Sequence, residues 1–169
     1  WAASNGGITN TQIISLAVSG TNIFAGTQGG GIFVSSNNGN TWVAANNGLT
    51  NNTVNCITCL GSTIFAGTNN GDFSSNNNGG NWTTSGLTNN IISSFVVNAT
   101  NIFAGAFGRT YLSTTNGTTW TLGYTGLPYT RVAAMAINAG NILAGLEGGG
   151  FYLSSNNGNT WSPANNGLV

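Results

Sequence analysis

The charged side chains are the residues that could carry acid–base or ionic chemistry, and this 169-residue chain has very few of them. They are Asp72, Glu147, Arg109 and Arg131, and the chain contains neither lysine nor histidine. Two carboxyl groups roughly 5–10 Å apart can cleave a glycosidic bond, and a histidine can act as a general base. The two acids fall in equivalent turns of non-adjacent repeats, so we expect them to be too far apart. We therefore expect no catalytic residue and no enzymatic activity.

The two cysteines are the other candidates for chemistry. Cys56 and Cys59 lie in one predicted strand, 53–60. Because side chains alternate across a strand, the two thiols should point to opposite faces and should not form a disulfide. Two cysteines without a histidine also cannot make a zinc site. We expect both to be small buried fillers, and we expect no metal and no cofactor.

The most regular feature of the chain is the motif Ser-x-Asn-x-Gly-x-Thr-Trp, which occurs four times with small variations. Its main residues are Ser35, Asn37, Gly39 and Trp42; Ser75, Asn77, Gly79 and Trp82; Ser113, Thr115, Gly117 and Trp120; and Ser154, Asn156, Gly158 and Trp161. With Trp1 included, the tryptophans recur about every 40 residues, a period typical of stacked repeat architectures. We expect repeats at 6–46, 47–85, 86–125 and 126–169, with 1–5 as an extra outer strand.

Each repeat contains four short runs of β-branched and aromatic residues separated by turn residues. In the first repeat these runs predict strands at Ile13–Ser19, Asn22–Thr27, 31–36 and 41–46. Links that contain Asn and Gly favour hairpin turns between them. Four antiparallel strands in each repeat of about 40 residues are typical of a β-propeller blade. The predicted fold class is therefore all-β, with four propeller-type blades.

The repeats resemble Asp-box (BNR) repeats, whose pattern is Ser-x-Asp-x-Gly-x-Thr-Trp, over essentially the whole chain. Such repeats occur in sialidases, xyloglucan-degrading glycosidases, sortilin-type receptors, and secreted proteins of environmental bacteria that use type IX secretion, which the chain resembles most. The resemblance implies an extracellular location. It also implies a turn in which the acidic position accepts backbone N–H bonds, with the Trp between blades. Asn37, Asn77, Thr115 and Asn156 stand at that position without charge, so we expect the turn but no metal or catalytic box.

The predicted strand at 1–5 belongs to no complete repeat, because four complete sets of strands follow it and the last set ends with its own strand at 161–166. Propellers contain roughly 4–8 blades, so the array could be an incomplete ring, part of a larger propeller, or a small closed ring. We favour a part of a longer protein, or closure between molecules in which 1–5 completes a neighbour's blade. Open strand edges and a formal net charge of zero favour a homo-oligomer or a filament-like assembly.

Strand alternation predicts that the four charges lie on one rim of the array, together with the aromatic residues that depart from the repeat. The candidate ligand-binding residues are Asp72, Phe107, Arg109, Tyr124, Tyr129, Arg131 and Glu147. This set suits a small polar and aromatic binding face, for example for a glycan. Ordinary exposed loops, in which substitutions are tolerated, would explain the same residues.

Taken together, the sequence predicts an extracellular, non-enzymatic structural or adhesive repeat protein that self-associates through open blade faces and edge strands, or that attaches to a cell surface. The alternatives are a carbohydrate-binding propeller and a non-catalytic part of a secreted glycosidase. Too few basic residues are present to bind nucleic acid. No apolar run is long enough to insert into a membrane.

Overall fold

The computed structural model describes residues 3–123 and 126–168, and every regular element in these ranges is a β-strand. The strands form four separate sheets, each of four strands in sequence order with antiparallel pairing. The predicted fold class is therefore confirmed, and each predicted repeat contains one sheet. We call the sheets blades one to four. The described part of the chain has no helix that could cross a membrane.

The strands have these bounds. Blade one consists of β1 (Ile13–Ser19), β2 (Asn22–Thr27), β3 (Ile32–Ser35) and β4 (Val43–Ala44). Blade two consists of β5 (Val54–Leu60), β6 (Thr63–Thr68), β7 (Gly71–Ser75) and β8 (Thr83–Thr84). Blade three consists of β9 (Ser94–Asn98), β10 (Asn101–Gly105), β11 (Thr110–Ser113) and β12 (Thr121–Gly123). Blade four consists of β13 (Val132–Asn138), β14 (Asn141–Leu146), β15 (Gly150–Ser154) and β16 (Ser162–Pro163).

The first two strands of blade one have the predicted bounds, but the third and fourth strands are shorter than predicted. The predicted 31–36 is Ile32–Ser35, 41–46 is Val43–Ala44, and 161–166 is Ser162–Pro163. The fourth strand ends early because the side-chain Oδ1 of Asn46, rather than a backbone carbonyl, accepts the Ile32 N–H at 2.7 Å. The chain is then free to leave its own blade and run towards the next one.

The predicted N-terminal strand at 1–5 is wrong for the part that the structure describes. Residues 3–5 lie outside any strand, and the first paired residue is Gly6, which forms an isolated parallel bridge with Thr41. Trp1 and Ala2 lie outside the described residues. The predicted strand 53–60 is nearly right, since it begins at Val54.

The four blades stack face to face through their first strands. β1 packs against β5, β5 against β9, and β9 against β13. Among the described strands no contact of comparable extent joins β13 to β1. The array is therefore an open row, which leaves an outer face on blade one and an outer face on blade four.

In each of the first three blades, an aromatic side chain enters the next blade as a plug. Phe24 of blade one is fully buried in one cluster with Ala66 and Trp82 of blade two. Phe103 of blade three is buried in the same way with Ala144 and Trp161 of blade four. Such interlocked contacts bury apolar area on both partners, which is the main source of stability in stacked repeats.

This packing predicts that Trp82→Ala will be strongly destabilising. Trp82 is almost completely buried, and its Nε1 donates to the Ala45 carbonyl at 2.8 Å. We expect a loss of about 3–5 kcal/mol in the free energy of unfolding, measured by urea denaturation. Val43→Ala is the control, because Val43 is 67% exposed and should change the free energy by less than about 0.5 kcal/mol. Equal midpoints for the two variants would contradict the interlocked packing.

Candidate functional site

The repeated motif forms the same hydrogen-bonded turn in all four blades. In blade one, Ser35 Oγ accepts the Gly39 N–H at 2.9 Å and Asn37 Oδ1 accepts the Thr41 N–H at 2.9 Å. The same pairs recur with these partners: Ser75 with Gly79, Asn77 with Asn81, Ser113 with Gly117, Thr115 with Thr119, Ser154 with Gly158, and Asn156 with Thr160. A neutral amide or hydroxyl therefore fills the acceptor position of the turn, which leaves no charged group there.

The linker that joins two blades covers the tryptophan of the following blade. Trp82 donates its backbone N–H to Asn47 O at 2.8 Å, in addition to the bond from Nε1. Trp42 makes the matching bonds to Gly6 O at 2.7 Å and to Ser4 O at 2.9 Å. The N-terminal segment thus occupies on blade one the place that the 45–49 linker occupies on blade two.

Four of the seven predicted ligand-binding residues meet on one rim, between blades three and four. The rings of Phe107 and Tyr129 pack edge to face with centroids 4.9 Å apart. Arg131 Nη1 lies 4.0 Å from Glu147 Oε2. Phe107 is 45% exposed and Tyr129 is 75% exposed, so both rings are accessible to a ligand.

The backbone contact beneath this cluster also occurs between other blades, but the aromatic side chains on it do not. Phe107 bridges to Arg131 as Gln28 bridges to Thr53 between blades one and two. The aromatic pair is therefore an addition to a contact that the array makes elsewhere with polar residues. Arg109 lies in the same turn as Phe107 and is partly buried. Tyr124 lies outside the described residues.

The prediction that Asp72 lies on the exposed rim is wrong. Asp72 is the second residue of β7 and is buried against blade three. Its Oδ1 accepts the Leu87 N–H at 2.8 Å, and its Oδ2 accepts the Ser85 hydroxyl. Burial raises the pKa of this carboxyl above its usual value, and the two hydrogen bonds offset only part of that effect.

A shorter linker explains why an acid is buried here. The segment from Trp82 to Leu87, which contains the linker after blade two, is shorter than the equivalent segment from Trp42 to Leu49 after blade one. The missing residues include the counterpart of Asn46, whose side chain ties the first linker to β3. In blade two, Asp72 on β7 makes the side-chain bond between the third strand and the linker instead. The coincidence of a shortened linker with an acid in the third strand was a sequence signal for this role.

The two cysteines are not bonded to each other, and each is only partly buried. Both are free, and Cys56 Sγ lies 3.9 Å from the Ile92 carbonyl. Burial raises the pKa of the Cys56 thiol to about 12, so it is protonated at neutral pH. Among the described residues no three His, Cys, Asp or Glu side chains come together in a way that could hold a metal ion.

The outer face of blade one is an apolar surface with an open groove of about 370 Å³. Its lining residues are Ser4, Asn5, Ile8, Thr11, Ile13, Leu16, Ala25 and Trp42. Leu16 is 63% exposed, whereas its repeat counterpart Ile57, which faces blade one, is only 7% exposed. Val18 on the same strand is similarly exposed. This face has the composition of an internal interface but no partner within the described chain.

The outer face of blade four shows the same departure. Phe151 is 42% exposed and Leu153 is also exposed. The repeat counterparts of Phe151 in the other blades, which are Ile32, Asp72 and Thr110, are all buried by the following blade. Both ends of the row therefore present large apolar side chains to solvent, which usually marks an interaction site.

Comparison with known proteins places the fold. No protein-family model matches the chain, and no curated protein matches it. An ancestral GH74 enzyme is 22% identical, with a TM-score of 0.80 over 94% of this chain and 24% of its own. The extracellular domain of a hybrid two-component system from B. thetaiotaomicron is 18% identical, with a TM-score of 0.77 over 90% of this chain and 22% of its own.

A third structure matches over its whole length. The computationally designed Ika4 protein is 12% identical, with a TM-score of 0.70 over 91% of this chain and 98% of its own. The chain therefore spans about a quarter of the first two proteins and nearly all of the third. At these identities the likeness establishes the blade fold and nothing further.

The buried carboxyl predicts a pH dependence of stability that Asp72→Asn removes. Because the folded pKa of Asp72 is raised, the folded state favours the protonated form, and stability should fall as the pH rises above about 4 towards neutrality. The amide keeps an acceptor for Leu87 N–H and has no charge to bury. We expect the variant to gain stability over wild type at pH 7 relative to pH 4, measured by thermal unfolding across that range.

Glu147→Gln is the matched control, because it removes the exposed acid and leaves the buried one. If Asp72→Asn and wild type respond identically to pH, the carboxyl is not held in a desolvated position.

Proposed function

We propose that this chain is an extracellular, non-enzymatic structural or adhesive repeat protein that self-associates through its outer blade faces. The observation that carries the proposal is the 63% exposure of Leu16 on blade one, whose repeat counterparts Ile57, Phe95 and Met135 are buried or partly buried where a neighbouring blade covers them. Exposing such side chains on a single chain costs hydrophobic free energy, which association would recover.

The electrostatics favour association. The formal net charge is zero, and two of the four charged residues pair with each other in Arg131 and Glu147. A chain of this kind has almost no like-charge repulsion to keep copies apart. Self-association should therefore occur through apolar contacts, and its strength should depend little on the salt concentration.

The proposal that the chain is non-enzymatic rests on the placement of the acids. Asp72 is buried and holds a linker, and Glu147 lies beside Arg131. Neither acid has the other as a partner, which a glycosidase would need. The likeness to a GH74 enzyme supports a second reading, in which the chain is a non-catalytic part of a secreted glycosidase. The extracellular domain among its structural neighbours supports a location outside the cell.

The aromatic cluster on the rim supports a further candidate function, which is glycan binding. Phe107 and Tyr129 form an exposed ring pair with Arg131 and Glu147 nearby. Sugar rings bind to such sites by stacking an apolar face on an aromatic ring while a few polar groups fix their orientation. The cluster is small and lies outside any deep cavity, so we expect weak binding.

Self-association predicts a native mass well above the 17.1 kDa of the chain. We expect light scattering after size-exclusion chromatography to show an oligomer for wild type and a single chain for the double variant Leu16→Asp, Val18→Asp. Val43→Asp is the matched control, because Val43 is equally exposed but lies on β4 at the periphery. A wild-type mass equal to one chain would contradict the proposal.

Glycan binding by the rim predicts that Tyr129→Ala, alone or with Tyr124→Ala, will abolish any signal on a glycan array. Ile91→Ala removes an exposed apolar side chain from another loop and should leave the signal intact. A signal that survives Tyr129→Ala would place glycan binding elsewhere, and no signal for wild type would remove this candidate.

A further inference from the structure

We infer that the partner at the two outer faces is a second copy of this chain, a refinement that rests on the proposed self-association. The outer face of blade four of one copy packs on the outer face of blade one of the other, in the register of the internal interfaces. Two such junctions close a ring of eight blades, four from each copy.

A glycine contact recurs at every internal interface and defines this register. A Cβ built on Gly26 would lie 2.8 Å from Val54, one on Gly67 would lie 2.7 Å from Ile92, and one on Gly105 would lie 2.7 Å from Val132. In each case the glycine is the last or next-to-last residue of the second strand of one blade, and the branched residue leads into or begins the first strand of the next. The three branched residues are fully buried.

The chain carries both halves of a fourth contact of this kind, at opposite ends of the row. Gly145 occupies the glycine position in blade four, and the atoms nearest to its Cβ direction belong to Phe151 and Ala134 of its own blade. Ile13 occupies the branched position in blade one and is exposed. Ile13 lacks the glycine that it would face, and Gly145 lacks the branched residue that it would face. A second copy of the chain supplies both missing contacts.

The aromatic plug has the same arrangement. Leu143 occupies in blade four the position from which Phe24 enters blade two and Phe103 enters blade four. The groove on blade one, formed with Ala25 and Trp42, is the counterpart of the site that receives the plug. In the second copy, Leu143 would enter this groove, and the exposed Phe151 and Leu153 beside it would cover Leu16 and Val18.

The number of blades allows the ring to close with two copies. A head-to-tail interface produces either a closed ring or an open filament, according to the rotation between neighbours. Propellers close with roughly 4–8 blades, and two copies together hold eight. Closure leaves no outer face exposed, whereas a single chain leaves two.

Each junction has room for one linker. The Ala164–Leu168 segment of one copy and the Ser4–Ile8 segment of the other are equivalent by repeat position, since both correspond to the 45–49 linker. The segment on blade one already bonds to Trp42 through Ser4 and Gly6. Because only one linker fits at each junction, docking displaces one of these two segments from its place.

A disulfide trap tests the register. In the double variant Ile13→Cys, Gly145→Cys the new thiols should face each other across the junction, because the equivalent internal Cβ positions, Gly105 and Val132, are 3.0 Å apart. Disulfides need a Cβ separation of about 3.5–4.5 Å, so a small opening suffices. Mild oxidation should give one band at twice the chain mass on a non-reducing denaturing gel. Each single-cysteine variant is a control for the native Cys56 and Cys59 and should give none.

The outcomes separate this inference from the proposed function. A native oligomer without the cross-linked band would overturn the register and leave self-association intact. A native mass of one chain would overturn both. A ladder of higher multiples would indicate an open filament, and an internal cross-link at single-chain mass would indicate a closed four-bladed ring; either result would overturn the two-copy ring.

A second variant blocks the junction without a cross-link. Gly145→Leu places a Cβ 3.3 Å from the ring of Phe151, which is exposed and can shift, so the blade should fold, but the leucine would collide with the partner's Ile13. We expect the dimer dissociation constant to rise roughly ten- to a hundredfold, as overpacking of a tight contact would give. Thr84→Leu, on the exposed β8 of blade two, is the matched control and should leave the constant unchanged. An unchanged constant for Gly145→Leu would overturn the inference.

Discussion

Each blade is a four-stranded sheet with two faces to bury, and no blade can bury either face on its own. This constraint organises the whole molecule. Every internal interface places a large side chain such as Phe24 between two sheets and a glycine where the next backbone approaches closely. Because stacking covers only the faces between neighbouring blades, the two outer faces of the row remain exposed.

The linkers add a second constraint, which couples neighbouring blades in sequence as well as in space. The linkers after blades one and two leave their own blades after two residues of the fourth strand and accept the indole N–H of the next blade's tryptophan, through Ala45 for Trp82 and Ser85 for Trp120. The linkers therefore hold these two tryptophans against the blades that precede them. This contact explains why the fourth strands are so short and why the motif ends in Trp.

Much of the fold could be predicted from the sequence, because the period of about 40 residues and the alternating apolar strands are local signals. The first two strands of blade one, Ile13–Ser19 and Asn22–Thr27, were predicted with their observed bounds. The fourth strands were predicted too long, since their ends depend on side-chain bonds such as that of Asn46. Asp72 was placed on the wrong surface because repeat alignment ignored the shortened linker. The rim cluster of Phe107 and Tyr129 was predicted as a group, but the edge-to-face packing of its rings depends on contacts between blades that no local pattern encodes.

The buried tie between Asp72 and its linker has a consequence for how such arrays can evolve. Repeats spread by duplication and unequal crossing-over, and most of these blades could be exchanged because each supplies the same turn and the same plug. Blade two differs, because its carboxylate and the short linker at Ser85 and Leu87 function only as a pair. A crossover between β7 and that linker would bury an acid without donors, at a cost of about 1–3 kcal/mol or more. Asp72 and its linker must therefore be inherited together, which marks that stretch of the gene as a poor site for recombination.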